Sequence, residues 1–478
     1  MRKASQPNCR PHRAGVATML VQWHNPTANK RRDRSIVTTS PTAPPASSGS
    51  TSSSIPKSII EDLREHGLLA QCSDEEGLAE HLQGEMRTLY CGFDPTADSL
   101  HIGNLVPLLA LRRFQLAGHR PLVLVGGATG MIGDPSGKSA ERNLNDAHVV
   151  VEWTERIREQ VRRFFDFEGP NGALVVNNYD WASKLTLVDF LRDIGKHFSV
   201  NAMVQRDTVK NRLQREGEGI SYTEFSYMVV QAMDFMVLAR DHGCTLQIGG
   251  SDQWGNIVSG VDLVRRTQGK TAYAATFPLV TKADGTKFGK TAGGAVWLDP
   301  AKTSPYSFYQ FWVNTADADV IGFLRTFTFL GPAAIDDLAQ SMAQEPQARA
   351  AQTALAREVT TLVHGEAAVA GAQRISQALF AGDLAVLTEQ DMAQLELDGM
   401  DGTRIPAAGA GMLDVMSQAG LAASNGAARK LIKGGGVKLN GVAISDHEAQ
   451  IEPAQALFGR YHLLRRGKKT WHLLIHDQ

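Results

Sequence analysis

Short apolar runs at residues 89–93, 121–125, 173–176 and 245–248 recur between stretches whose apolar residues keep the period of a helix. That alternation constrains the fold more than any other feature of the chain. Strands joined through helices pair in parallel, so an α/β class is predicted: a Rossmann-like parallel sheet with helices on both faces. Ligands of such a sheet bind outside the carboxyl ends of its strands. The alternation occupies residues 55–303, which are expected to form one catalytic domain. Residues 304–398 lack strand-like runs to about position 380 and read as an α-helical domain. A Gly/Ala-rich stretch, 399–411, reads as a linker, and 412–478 as a small α+β basic unit.

At 478 residues the chain is long enough for about three such cores. It carries no apolar run long enough to span a bilayer, so no membrane partner is expected. Its four cysteines, Cys9, Cys72, Cys91 and Cys244, form no CxxC pair, which argues against a disulfide framework or structural zinc. The formal net charge is −1, so any nucleic acid must be held by a local basic patch. Residues 1–54 are rich in Ser, Thr, Pro and Arg, with Asp33 the single acid, and read as a disordered extension on a cytoplasmic protein. The alternative is a mitochondrial transit segment.

Two motifs carry chemistry. His101-Ile102-Gly103-Asn104 falls where the run at 89–93 passes through Asp94-Pro95-Thr96 into an apolar-periodic helix at 105–116. A helix start offers unpaired backbone N–H groups and the positive end of the dipole, which favour phosphate. Far downstream, Lys287-Phe288-Gly289-Lys290-Thr291 lies in a Gly-rich loop able to bring two ammonium groups onto a polyphosphate. Two look-alikes fail. Gly133-Asp134-Pro135-Ser136-Gly137-Lys138-Ser139 has its glycines one residue too close for a P-loop, and Pro135 removes an N–H. Gly126-Gly127-Ala128-Thr129-Gly130 misses the dinucleotide spacing and reads as a tight turn with close backbone packing. Tyr227, Gln231 and Asp234 stand at i, i+4 and i+7 of one helix, on a shared polar face.

The first two motifs, as a pair in this order, resemble the signatures of class I aminoacyl-tRNA synthetases. The strings Tyr90-Cys91-Gly92-Phe93-Asp94-Pro95-Thr96-Ala97 and Gly249-Gly250-Ser251-Asp252-Gln253-Trp254-Gly255-Asn256 resemble the bacterial-type tyrosyl-tRNA synthetases, from about Ile55 to the C-terminus. The resemblance implies activation of L-tyrosine by ATP, with Mg2+ accompanying the nucleotide and no tightly bound protein metal, followed by transfer to tRNA. It implies that Asp134, Tyr227 and Gln231 hold the tyrosine ammonium, that Tyr90 and Asp234 bracket the phenol, and that Gln253 lies near the carboxylate. Gly92, Asp94, Gly103, Gly250, Asp252 and Lys290 would meet ATP. Thr96, His101 and Asn104 would hold the polyphosphate from the fixed side, and Lys287, Lys290 and Thr291 from the loop, joined by Lys138 and Arg142. Asn104 stands where the signature often has His. Residues 190–203 resemble the family's homodimer interface.

Residues 427–441 read as a basic helix, a Gly stop, a short strand and an Asn-Gly turn. With Arg429, Lys430, Lys433, Lys438, Arg465, Arg466 and Lys468 they resemble a small RNA-binding domain. Two rivals remain: a tryptophanyl enzyme, which the Tyr90 and Asp234 pair does not suit, and an RNA-binding module that has lost its chemistry.

Overall fold

The computed structural model describes residues 58–136, 146–206, 209–210, 213, 219–285, 288–291 and 294–477. The expected extension at 1–54 lies outside the described residues, as do Lys138, Arg142 and Lys287 and the side chains of Lys290 and Thr291. Six strands form the first sheet: β1 (Gln71–Cys72), β2 (Thr88–Phe93), β3 (Arg120–Val125), β4 (Leu174–Asn177), β5 (Cys244–Gly250) and β6 (Tyr273–Phe277). Their order is β1-β6-β5-β2-β3-β4, and every pair is parallel except β1 with β6. The parallel α/β prediction holds. Two strands escape the sequence reading: β1 is only two residues long and β6 dilutes its apolar run with Ala274, Ala275 and Thr276.

Side chains alternate across a strand, and here the alternation decides what faces the ligand. Leu89, Cys91 and Phe93 of β2, with Val123 and Val125 of β3, enter the core beneath the helix Leu105–Leu116. Tyr90, Leu122 and Leu124 point to the other face and pack on Phe235 and Leu238 of the helix Tyr222–Asp241. Starting from β2, the chain adds β3 and β4 on one side, then β5 and β6 on the other. The order therefore reverses between β2 and β5, which opens a crevice at their carboxyl ends.

Strands β7 (Lys290–Thr291) and β8 (Gly294–Ala295) pair antiparallel at the edge of that crevice. Beyond them the helices Pro305–Val313, Asp317–Phe327, Pro332–Gln344, Ala350–His364 and Glu366–Ala381 share a core with the fully buried Trp312. Ser304 caps the first of them by accepting from Ser307 N–H at 3.1 Å, and Pro305 supplies a preset φ just inside it. The ring of Phe288 enters this helical cluster, stacked on Phe327 at 5.0 Å and edge-on to Phe323 at 4.9 Å.

The last sheet contains β9 (Gly402–Ile405), β11 (Val437–Leu439), β12 (Val442–Ala443), β14 (Tyr461–Arg466) and β15 (Thr470–His476), in the order β12-β11-β14-β15-β9. A separate pair joins β10 (Ala410–Gly411) to β13 (Gln450–Ile451). Both β9 and β10 fall within the stretch expected to be a linker. Glycine and alanine hid them: Gly402 sits flat against β15, where a Cβ would come 3.4 Å from Ile475 Cδ1, and β9 completes the sheet in parallel with β15. The expected Asn-Gly turn is present, with Asn440 at φ +49° and Gly441 at φ +85° between β11 and β12. Val437, Leu439 and Leu464 face the helix Asn425–Lys433, whereas Tyr461, Leu463 and Leu473 face Leu379 and Leu395. Across that second seam Glu396 accepts from Arg460 at 2.7 Å, Arg404 at 3.3 Å and the Tyr461 hydroxyl at 2.8 Å.

Candidate active site

A cavity of about 620 Å³ occupies the crevice. All six residues expected to meet tyrosine line it: Tyr90, Asp134, Tyr227, Gln231, Asp234 and Gln253. So do Gly92, Asp94, Thr96, His101, Gly103, Asn104, Gly250 and Asp252 from the expected nucleotide side.

Its floor lies between β2 and the helix Tyr222–Asp241. Asp234 is buried there and accepts from Asn178 Nδ2 at 3.0 Å and Trp181 Nε1 at 2.8 Å. Burial nevertheless outweighs those donors and pushes its carboxyl up to about 7. The Tyr90 hydroxyl, also buried, has no hydrogen-bond partner among the described residues. Burial, followed by the Asp234 charge, raises its pKa far above the phenol range, so it stays a neutral O–H. A donor and an acceptor thus wait at the bottom of the cavity.

Two turns earlier on the same helix, Tyr227 donates its hydroxyl hydrogen to Asp94 Oδ2 at 2.6 Å. Its remaining capacity is that of an acceptor. The Gln231 Oε1 atom is buried without a partner among the described residues, and Asp134 accepts from Ser136 N–H at 2.9 Å and Gln253 Nε2 at 2.6 Å. Two neutral oxygens and one carboxylate make a set of acceptors suited to a cation. Gln253 lines the cavity with one amide hydrogen committed to Asp134 and its Oε1 accepting from Asn256 at 3.2 Å. The side chain braces the acidic wall.

Asp94 reaches further than the nucleotide rim expected for it. Besides Tyr227 it accepts from the Thr129 hydroxyl at 2.6 Å, which itself accepts from Asn178 Nδ2 at 3.0 Å. Gly126 makes room for this chain of bonds, because a Cβ there would lie 2.0 Å from Asp94 Oδ1. The tight turn read at 126–130 has that physical cause. Asn178 and Trp181 escape the sequence reading, although both follow β4 at its carboxyl end, where the parallel-sheet rule directs a search.

On the opposite rim His101 caps the short 3-10 turn Ile102–Asn104, from which the helix Leu105–Leu116 continues. Its Nδ1 accepts from Gly103 N–H at 3.0 Å, which places the ring hydrogen of the neutral form on Nε2 as a donor. A Cβ on Gly103 would come 2.8 Å from His101 Cε1. Asn104 Oδ1 accepts from His101 N–H at 3.0 Å, so its amide hydrogens are what it can offer a phosphate. The two signature stretches meet here. Ile102 N–H donates to Val296 O at 3.0 Å and Leu298 N–H to Leu100 O at 2.8 Å, and a Cβ on Gly289 would approach Ile102 Cγ1 to 3.2 Å. Asp252 is partly buried beside the cavity, and burial followed by Asp134 raises its pKa.

Residues 83–381 match the family model of class I tRNA synthetases for tryptophan and tyrosine, and residues 391–474 that of the C-terminal domain of tyrosine–tRNA ligases. The chain is 56% identical over 421 residues to a tyrosine–tRNA ligase of Aliivibrio fischeri, spanning 87% of this chain and 98% of that one. It belongs to the tyrosine–tRNA ligases. A ligase of Chromobacterium violaceum is 54% identical over 419 residues, with the same two coverages. Among solved structures, a C-terminally truncated mitochondrial tyrosyl-tRNA synthetase of Aspergillus nidulans aligns with a TM-score of 0.62 at 32% identity, over 68% of this chain and 94% of that one.

In this ligase the basic residues of the C-terminal unit do not form one patch. Arg429, Lys430 and Lys433 lie on the helix Asn425–Lys433, and Arg466 turns to that side by donating to Leu421 O at 2.5 Å. Lys438 lies opposite Arg465 on the other face, beside Lys468 in the β14–β15 turn. Strand parity separates them, since Lys438 is flanked by the core residues Val437 and Leu439.

Proposed function

We propose that this ligase binds tyrosine with its phenol between Tyr90 and Asp234 and its ammonium among Tyr227, Gln231 and Asp134. The observation that carries the reading is the buried, unpartnered Tyr90 hydroxyl beside the Asp234 carboxyl. A phenol satisfies both, accepting from Tyr90 and donating to Asp234. Phenylalanine leaves the Tyr90 hydroxyl buried and unpaired and brings Asp234 no donor beyond Asn178 and Trp181, a general route to selectivity for which tyrosyl-tRNA synthetases are themselves the standard illustration.

Catalysis then needs no covalent enzyme intermediate. The tyrosine carboxylate, already a nucleophile at neutral pH, attacks the ATP α-phosphorus and expels pyrophosphate. Charge grows on the phosphate oxygens, so preplaced donors lower the barrier: His101 Nε2–H, the Asn104 amide and Thr96 from the rigid rim, and Lys287, Lys290 and Thr291 from the loop anchored by Phe288. Asp252 is assigned to the ribose hydroxyls. Among the described residues no group of three or more His, Cys, Asp or Glu is placed to hold a metal, and Mg2+ is assigned to the polyphosphate of ATP. A ribose hydroxyl of the terminal tRNA adenosine next attacks the mixed anhydride.

The helical segment and the basic C-terminal sheet are assigned to tRNA. A homodimer is supported by the apolar side chains flanking and within residues 190–203, where Leu187 is 73% exposed and Val200 61%. Cytoplasmic action fits the free thiols of Cys72, Cys91 and Cys244. The test is tyrosine-dependent exchange of pyrophosphate into ATP, with phenylalanine and tryptophan as controls. Exchange with tyrosine alone is expected; exchange with tryptophan, or none at all, would overturn the assignment.

A further inference from the structure

Phe380 is 91% exposed at the end of the helix Glu366–Ala381, where its ring buries almost nothing for the fold. The residues before and after it meet the C-terminal sheet. Trp471 Nε1 donates to the carbonyl of Leu379, the residue before Phe380, at 3.1 Å. Arg465, the cross-strand partner of Trp471, lays its guanidinium over the indole with Cζ 5.0 Å from the ring centre. The same guanidinium reaches the end of the helix, since a Cβ built on Gly382 would lie 3.5 Å from Arg465 Nη1. Lys438 is paired with Arg465 across β11 and β14, and Lys468 is exposed in the adjoining turn. The nearest acid in sequence, Asp383, accepts from Ala385 N–H.

An exposed aromatic ring on a helix end that adjoins a strand bearing a row of cations supplies the two elements that recognise an unpaired nucleotide. Every base offers a π-face to stack, and cations meet the phosphates on either side. We propose that Phe380 is a stacking platform for an unpaired base of RNA, with Lys438, Arg465 and Lys468 holding the neighbouring phosphates. The last long helix and the C-terminal sheet then read one RNA as a single surface, joined through the Leu379–Trp471 bond. The inference rests on the reading of the chain as a ligase that charges tRNA.

The experiment is steady-state aminoacylation of tRNA by Phe380→Ala, Phe380→Leu and Phe380→Trp, with tyrosine-dependent pyrophosphate exchange measured on the same preparations. Alanine and leucine are expected to raise the KM for tRNA roughly five- to hundredfold, and tryptophan to restore it. Lys438→Ala is expected to flatten the dependence of tRNA affinity on salt, which Phe380→Ala leaves as steep as before. An unchanged KM in Phe380→Ala overturns the platform, and rescue by leucine as good as by tryptophan replaces stacking with plain apolar contact. A loss of self-association in sedimentation, at unchanged tRNA KM, would assign the ring to a protein contact and overturn it equally. Absence of exchange in the unsubstituted protein would instead refute the ligase reading on which the proposal stands.

Discussion

The hydroxyl of Tyr227 lies 2.6 Å from Asp94 Oδ2, and this one bond decides which way a phenol of the pocket wall faces. With its hydrogen committed to Asp94, Tyr227 can only accept from a bound ammonium. Tyr227→Phe is therefore expected to lower kcat/KM for tyrosine in pyrophosphate exchange by ~2 kcal/mol, about thirtyfold, the usual size of a hydrogen bond to a charged group. Asp94→Asn should lower it in the same direction, because an amide nitrogen turned to Tyr227 reverses the bond. An unchanged tyrosine KM in Asp94→Asn would refute the orienting role.

Tyr90 presents a different trade. Its hydroxyl is buried without a partner among the described residues, a condition that costs the empty protein ~1–3 kcal/mol. Tyr90→Phe is expected to raise the thermal midpoint measured by calorimetry without tyrosine, and at the same time to narrow the preference for tyrosine over phenylalanine. A variant that loses stability would show that the hydroxyl is satisfied in the native protein.

The carboxyl of Asp234, held near 7 by burial, gives the pocket a pH dependence of definite sign. Asn178, Trp181, Tyr90, Tyr227 and the more distant Asp94 are polar groups that bear on it. Below about pH 7 it gains a proton and becomes a weaker acceptor for the substrate phenol. The kcat/KM for tyrosine should fall as the pH drops through 7, whereas Asp234→Asn should show a low and flat profile. A wild-type profile flat from pH 6 to 8 would contradict the assignment.

A second titration is structural. His476 Nδ1 donates to Pro406 O at 3.1 Å, so its Nε2 accepts from His462 Nε2–H at 3.0 Å, and His462 Nδ1 in turn accepts from Asn440 Nδ2 at 3.1 Å. Each ring in this chain donates one hydrogen bond and accepts one. Burial, then the neighbouring His476, lowers the pKa of His462 to about 4, so the unfolded chain binds the extra proton first. This contribution to stability is whole above pH ~6.5 and shrinks as the pH falls toward 4, by ~2 kcal/mol at pH 5. Denaturant unfolding followed by Trp471 fluorescence should show that loss, and His462→Gln should reduce its pH dependence. An equal slope in the variant would place the acid sensitivity elsewhere.

How much of this is legible in the residues follows from the range of the forces involved. The helix Leu105–Leu116 can be read with the bounds it has, because its apolar period, the preceding cap and Ala117-Gly118 are all local. Spacing alone places Tyr227, Gln231 and Asp234 on one face, and they do line one cavity. Asn178 and Trp181 stay hidden, since their contact with Asp234 exists only once β4 lies beside β3 and a loop crosses to the helix Tyr222–Asp241. Composition groups the seven basic residues together, whereas one step along a strand sends Arg465 and Arg466 to opposite faces. Nothing local reveals that Gln253 is held by Asp134, 119 positions earlier.

The strand β9 sits beside β15, so the first and last strands of the C-terminal sheet are parallel neighbours, and the strand that opens the unit is also the one that closes its edge. A fragment begun at Met412 would leave its own edge strand behind and expose the unpaired rim of β15, inviting aggregation, whereas one begun near Met400 would carry a complete sheet.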